Sequence, residues 1–360
     1  MPRVRVLIAD DSRLARALLR DFLEAEPDME VVGEACNGRE AVELARALKP
    51  SIVTMDLEMP LMGGLEAIET IMCSKAVPIL VVSARADARN ALAALGCGAL
   101  EVLGKPDCTP AAAAEFVAKV RLLAGVTVIT RLRRVLKADT TAPTSLVANH
   151  ESTPLPGPAS YPRVFAIASS TGGPQALVRI LTALPSGFAC PVLIAQHISD
   201  GFAQGMVDWL GGLCRLPVRL AADGELLQAG VIYISPSERH FSVTPSGHIA
   251  LLARSASDVF HPSCDVLFHA VAKVFGRQAI GIILTGMSSD GALGLARIRE
   301  NGGVTLAQDE ATSVVFGMNR VAIEAGAVQQ VLPLQAIAPA MAGLAVALPM
   351  SAKLGVAGGT

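Results

Sequence analysis

Short apolar runs of β type alternate with longer stretches of helical period from Val4 to about Gly125, and the same alternation resumes at Arg163. Such a pattern predicts a mainly parallel sheet wrapped by helices on both faces, and it occurs twice. In the first stretch strands are expected at 4–9, 31–35, 52–55, 79–82 and 100–103, with helices between them. Ser12 and Asn37 are placed to cap the first two helices, and Pro110 suits the first turn of the last. These units fit a flavodoxin-like sheet of strand order 2-1-3-4-5. In the second stretch strands are expected at 164–168, 192–195, 280–284 and 304–307. Shorter ones are expected at 233–235, 241–244 and 248–252, with Pro245, Ser246 and Gly247 marking a hairpin turn. The second unit is therefore a doubly wound, Rossmann-like α/β domain with a small antiparallel hairpin.

Between the two lies a basic stretch (Arg131, Arg133, Arg134, Lys137), its charges interleaved with apolar residues at helical spacing as on a solvated helix face. A segment follows with Pro143, Pro154, Pro156, Pro158 and Pro162 among Thr, Ser and Gly, the composition of a linker. The boundaries that follow are 1–125, a linker at 126–162, a second domain at 163–350, and a Gly- and Ala-rich frayed tail at 351–360.

Composition narrows the function classes. Over half of the residues are apolar, yet no uninterrupted run reaches the roughly 18 needed to cross a bilayer. The start MPRVRVLIADDS passes from a short apolar run straight into carboxylates, without the features of a secretory signal, so a cytoplasmic protein is expected. The 7 cysteines are scattered and never spaced as C-x-x-C, which argues for isolated thiols over a zinc site or disulfide framework. A formal charge of -2 offers no electrostatic footprint for nucleic acid.

Candidate chemistry sits where the predicted strands end. Asp10 and Asp11 follow the first strand and Asp56 the third, and these strands are neighbours in a 2-1-3-4-5 sheet, so three carboxylates converge on the switch-point crevice. Clustered carboxylates repel one another unless a hard cation such as Mg²⁺ lies among them. Ser83 follows the fourth strand and Lys105 the fifth, adding a hydroxyl and an ammonium. The segments IADDS, MDLEMP, VVSA and LGKP resemble the receiver domain of bacterial response regulators over residues 3 to about 125. The resemblance implies that Asp56 accepts a phosphoryl group from a histidine kinase. It also implies that Asp10, Asp11, Asp56 and the Glu58 carbonyl hold Mg²⁺, and that Ser83 and Lys105 read the phosphoryl group. Receivers usually carry Phe or Tyr where this chain has Val102, which points to an altered or weaker switch.

The second set begins at Ser169-Ser170-Thr171-Gly172-Gly173-Pro174, a run of small residues between a strand and a helix. A serine on such an elbow stands beside helix N-terminal N–H groups that favour developing negative charge. His197 follows the next strand and Asp290 lies after the strand at 280–284, so a base and an orienting carboxylate occur at equivalent strand ends. Among the other histidines (His150, His240, His248, His261, His269), His240 competes most strongly for the base or for a place lining the substrate cleft.

The segments ASSTGGPQAL, QH, YISPSERH, HPSCDVLF, ILTGMSSDGA and VVFGM together resemble the catalytic domain of the chemotaxis protein-glutamate methylesterase (CheB) family. Carried over, Ser170 is the nucleophile, His197 the general base and Asp290 its orienting carboxylate. Met287 supplies an oxyanion N–H and Thr171 supports the elbow. Four positions depart from the usual pattern: Ala168-Ser169 stands for Gly-Ala, which leaves Ser169 as an alternative nucleophile, Ser288 stands for Gly, and Asn319 for Pro. The resemblance implies a phosphorylation-regulated esterase that releases methanol from glutamate methyl esters on chemoreceptors, with no cofactor for the ester chemistry and no membrane insertion. Deamidation of receptor glutamines is chemically parallel. The unphosphorylated receiver is expected to cover the esterase cleft. A non-catalytic phospho-regulated binding protein of a chemosensory array, or an esterase for another acylated protein, are the alternatives.

Overall fold

The computed structural model describes residues 3–74, 76–84, 88–126, 128, 161–255 and 258–346. The basic stretch, His150, the tail at 351–360 and nearly all of the expected linker lie outside these residues.

The first unit is built of β1 (Val4–Ala9), α1 (Arg13–Glu24), β2 (Met29–Ala35), α2 (Gly38–Leu48), β3 (Ile52–Met55), α3 (Gly64–Ser74), β4 (Ile79–Ser83), α4 (Ala88–Cys97), β5 (Glu101–Gly104) and α5 (Pro110–Leu123). Its strands are all parallel in the order β2-β1-β3-β4-β5. The central strand β3 is buried along its whole length, which is why its residues are apolar apart from Thr54. Ser12 accepts a hydrogen bond from the Ala15 amide and Asn37 from the Glu40 amide, closing the open N-termini of α1 and α2. Thr109 caps α5, and Pro110 occupies its first turn.

The second unit comprises β6 (Val164–Ser169), α6 (Gly173–Leu181), β7 (Val192–Gln196), α7 (Ala203–Gly211), β8 (Val218–Leu220), β9 (Ile232–Ile234), β10 (Arg239–Val243) and β11 (Ile249–Ala253). It continues with α8 (Cys264–Phe275), β12 (Ala279–Ile283), α9 (Ala292–Glu300), β13 (Val304–Gln308), α10 (Met318–Glu324), β14 (Gln330–Leu332) and α11 (Leu334–Ala345). Seven strands form one parallel sheet in the order β14-β13-β12-β6-β7-β9-β8, and β10 and β11 form the antiparallel hairpin. The sequence pattern does not reveal β8 and β14. Each is a three-residue strand at a sheet edge and incompletely buried, so it carries no apolar run to detect. The strand expected at 233–235 joins the parallel sheet, beside β7 and β8.

The chain runs outward from β6 in both directions, toward β7 on one side and β12 on the other, so the carboxyl ends of β6 and β12 flank a switch-point crevice. The two units touch. Helix α4 packs on α7, and Leu92 and Leu95 share an apolar cluster with Phe202, Met206 and Leu210. Among the described residues no helix is long and apolar enough to cross a membrane.

Phe116 is fully buried beneath the first sheet among Leu23, Val120 and Leu123. Phe116→Ala is expected to cost about 3–5 kcal/mol of the first unit's stability in urea unfolding. A loss below about 1 kcal/mol would contradict this packing account.

Candidate active site

At the carboxyl end of the first sheet, Asp10 and Asp56 are buried and Asp11 is exposed. One carboxylate oxygen of each lies within 4.8 Å of the others. Lys105 Nζ donates to Asp56 Oδ2 at 2.8 Å and stands 2.8 Å from Asp10 Oδ2. The second contact is an ion pair without hydrogen-bond geometry, and Asp10 Oδ2 has no hydrogen-bond partner. The other oxygens are engaged: Asp10 Oδ1 accepts from the Ser12 amide and Asp56 Oδ1 from the Leu57 amide. Burial raises the Asp56 pKa and the charge of Asp10 adds to the rise, against the opposing pull of Lys105. Burial would lower the Lys105 pKa, but its contacts with the carboxylates of Asp10 and Asp56 outweigh that and raise it. Ser83 is buried at the end of β4, and its carbonyl accepts from the Lys105 amide at 2.9 Å. Glu58 is exposed just past Asp56, and Val102 is buried in β5.

The second site grows from the turn between β6 and α6. The Ser170 amide donates to Thr285 O at 3.1 Å and the Ser170 carbonyl accepts from the Gly173 amide at 2.8 Å, so the serine is fixed from both sides. Gly172 holds φ at 77°, and a β-carbon there would stand 2.5 Å from Val314 Cβ. Only glycine satisfies both conditions. The adjacent Ser169 is fully buried, and its hydroxyl donates to Gln196 Oε1 at 2.6 Å. Gln196 Nε2 in turn donates to the carbonyls of Ser170 and His197. Thr171 is buried, and its carbonyl accepts from Thr285 Oγ1.

His197 Nε2 and Asp290 Oδ2 are 2.8 Å apart. Asp290 also accepts from the Cys264 amide at 2.6 Å, the Asp265 amide at 2.9 Å and Ser263 Oγ at 3.0 Å. Two of those donors are the first amides of α8, so the carboxylate occupies a helix N-terminus, where the backbone dipoles favour an anion. Burial pushes the Asp290 pKa up, but His197 and the α8 amides outweigh it, and the net shift is downward. An ionised Asp290 can only accept, so the proton of neutral His197 belongs on Nε2 and Nδ1 is left bare. The Cys264 thiol lies 3.6 Å from His197 Nε2, and burial drives its pKa far above the ordinary value. His197, Cys264 and Asp290 are also close enough to ligate a cation. Protein donors, however, already fill the acceptor positions of Asp290, so the cluster is organised as a hydrogen-bonded pair.

Residues 165–341 match the family described as CheB methylesterase, and residues 6–116 match the response regulator receiver domain. The chain belongs to the CheB methylesterase family. The Paramagnetospirillum magneticum protein named protein-glutamate methylesterase/protein-glutamine glutaminase 3 is 55% identical over 354 residues, covering 94% of this chain and 95% of its own. A relative from Anaeromyxobacter dehalogenans, protein-glutamate methylesterase/protein-glutamine glutaminase 2, is 44% identical over 342 residues and covers 94% and 96%. The solved catalytic domain of Thermotoga maritima CheB methylesterase is 32% identical, covers 51% of this chain and 98% of its own, and gives a TM-score of 0.49.

The methylesterase unit gathers Ser170, Thr171, His197, Met287 and Asp290 at one end of its sheet, with Met287 half exposed at the rim. His240 does not join them. It is buried in β10 and pairs with Asp258 at 2.8 Å, so it neither competes for the base nor lines an open cleft. Ser288 turns its hydroxyl back to accept from the Asp290 amide at 3.2 Å. Asn319 is buried and donates to Gln308 O and Ser313 Oγ, bonds that a proline could not make. Gln196 and Ser263 fall inside the motifs QH and HPSCDVLF, but their roles emerge only from the fold, as does that of Phe260, whose ring stacks on His197 with centroids 5.4 Å apart and planes within 3°. A signal for Ser263 was present: a serine immediately before the apolar helical run of α8, where it caps the helix.

A carboxyl whose folded pKa is depressed contributes stability that is present above its unfolded pKa and is lost as pH falls through the folded value. Asp290 lies below the ordinary value of 3.8. The stability gap in urea between wild type and Asp290→Asn should therefore be widest near neutral pH and shrink below about pH 4. A gap that stays constant into acid would contradict an ionised Asp290.

Proposed function

We propose that this chain hydrolyses γ-methyl esters of glutamate on chemoreceptors, with Ser170 as nucleophile, and that phosphorylation of Asp56 controls access to the site. The observation that carries the reading is the His197–Asp290 pair, fixed by the α8 N-terminus beside the serine elbow. Ser170 Oγ attacks the ester carbonyl while His197 Nδ1 takes its proton, and Asp290 stabilises the resulting imidazolium. The Met287 amide donates to the oxyanion of the tetrahedral intermediate, and Thr171 supports the elbow. Collapse of the intermediate breaks the ester C–O bond, and the leaving methoxide takes the proton from His197 and departs as methanol. Water, deprotonated by the same imidazole, then attacks the acyl-serine; the bond to Ser170 Oγ breaks, the imidazolium returns its proton to that oxygen, and the glutamate carboxylate is restored. A receptor glutamine would follow the same course with ammonia as the leaving group. Ser169 is a poor alternative nucleophile because its hydroxyl is fully buried and committed to Gln196.

In the receiver, Asp56 accepts the phosphoryl group from a chemotaxis histidine kinase. Asp10, Asp11, Asp56 and the Glu58 carbonyl would hold Mg²⁺. The clustered oxygens, with Asp10 Oδ2 buried and accepting no hydrogen bond, fit a hard cation. When bound, the ion neutralises charge on the transferring phosphoryl group. Ser83 and Lys105 stand on the neighbouring strands to bond the acquired oxygens.

Contacts between the units support a covering role for the receiver. Lys119 of α5 pairs with Glu101 and donates to Thr171 Oγ1 at 3.0 Å, one residue from Ser170. Gln175 Nε2 donates to Ala99 O, and the Gly104 amide, next to Lys105, donates to Ser199 Oγ at 3.3 Å. A receiver seated there would keep a receptor helix from the elbow, and a change at Lys105 is one residue from a contact that holds the seat.

Methanol release from methylated receptors tests the reading. Ser170→Ala should lose roughly 10⁶-fold in kcat while remaining folded, and Ser169→Ala should lose far less. A small phosphodonor should raise turnover of wild type and leave Asp56→Asn unchanged. Near-normal turnover by Ser170→Ala, with loss in Ser169→Ala, would move the nucleophile to Ser169.

A further inference from the structure

A second His–Asp pair lies behind the first. His240 of β10 is only 5% exposed, and both ring nitrogens are engaged. Nε2 is 2.8 Å from Asp258 Oδ2, and Nδ1 accepts from the Ser263 amide at 3.0 Å. Because an amide can only donate, Nδ1 must be bare, and the ring proton sits on Nε2 facing the carboxylate. Asp258 Oδ2 is held in addition by the Ser255 amide at 2.6 Å, and its bond from His240 lowers its pKa.

The two partners of His240 are the two ends of one loop, from Asp258 to Ser263, so a single buried imidazole ties that loop shut. What the loop carries is specific. Phe260 lays its ring flat on His197, with planes within 3°. Ser263 donates its hydroxyl to Asp290 Oδ1 at 3.0 Å and begins α8, whose first amides hold the rest of that carboxylate. Each member of the pair thus takes one of its orienting contacts from the segment that His240 closes.

We propose that His240 is a positioning residue of the esterase, setting Phe260 and Ser263 so that His197 and Asp290 are held in the geometry that ester attack requires. The proposal rests on Ser170, His197 and Asp290 being the reacting set. His240 itself touches neither substrate nor reacting atoms. A displacement of about 1 Å in a supporting loop costs on the order of 100-fold in rate, so the effect belongs in kcat.

The test uses the full-length protein, methylated receptor as substrate, and two variants that divide the imidazole's bonds between them. The side-chain oxygen of Asn falls near the place of Nδ1, so His240→Asn can still accept from the Ser263 amide. The side-chain NH₂ of Gln falls near the place of Nε2, so His240→Gln keeps only the bond to Asp258. His240→Gln is expected to lose about 100-fold in kcat with KM changed less than about twofold, and His240→Asn to recover most of that loss. Thermal unfolding and Asp56 labelling by a small phosphodonor are measured on both variants. Equal kcat losses that follow equal losses in melting temperature would reduce His240 to a packing role and overturn the proposal. So would wild-type kcat in both variants, or a loss confined to KM, which would make it a substrate contact. Ser170→Ala is assayed in parallel. If that variant is inactive while both His240 variants turn over normally, the positioning proposal alone has failed. If it turns over normally, the esterase assignment beneath the proposal has failed.

Discussion

A buried carboxylate is costly to keep ionised, and Asp290 is kept so by four donors from two places, His197 and the start of α8. Removing one partner of such a buried charge costs several kcal/mol, because the anion left behind cannot be rehydrated. This requirement fixes the surroundings. α8 must begin where it does, so that its first amides reach the carboxylate, and Ser263 must cap it. The loop after β12 must bring Asp290 to that helix end, and Ser288 ties the loop to the Asp290 amide. His197 then has one nitrogen committed to Asp290 and one left for proton transfer. In the proposed mechanism the direction of proton transfer therefore follows from where a helix starts.

The receiver solves a related problem with the opposite sign of crowding. There, three carboxylates share one strand-end crevice, and Lys105 is the cation that spans the two buried ones. Parallel sheets place both centres at carboxyl strand ends, where loops are free to carry chemistry while the strands stay buried. The units meet through apolar packing of α4 on α7 and through polar contacts near the serine elbow. Lys119 belongs to one domain and Thr171 to the other, so whatever moves α5 also moves a group one residue from Ser170.

Much of this was legible in the chain. Largely apolar runs at β1, β3, β6, β7 and β12 mark buried parallel strands, and the polar residues at or just past their ends mark both centres. Ser12, Asn37 and Pro110 announced helix starts through local bonds that a sequence carries directly. What stayed hidden depends on contacts between distant residues. β8 and β14 are short edge strands defined by their neighbours, not by an apolar run. His240 looked like a rival for the catalytic base because its partner, Asp258, lies across a hairpin and a loop. Phe260 and Lys119 have no local signature at all, since each matters only for what the fold sets against it.

The proposed chemistry depends on the tautomer of His197, which nitrogen-15 NMR of histidine-labelled protein reads directly. At a pH where the ring is neutral, the His197 resonances should show the proton on Nε2 and a bare Nδ1, with Asp290→Asn shifting that balance. A proton resident on Nδ1 in the wild-type protein would contradict the claim that Asp290 directs the base.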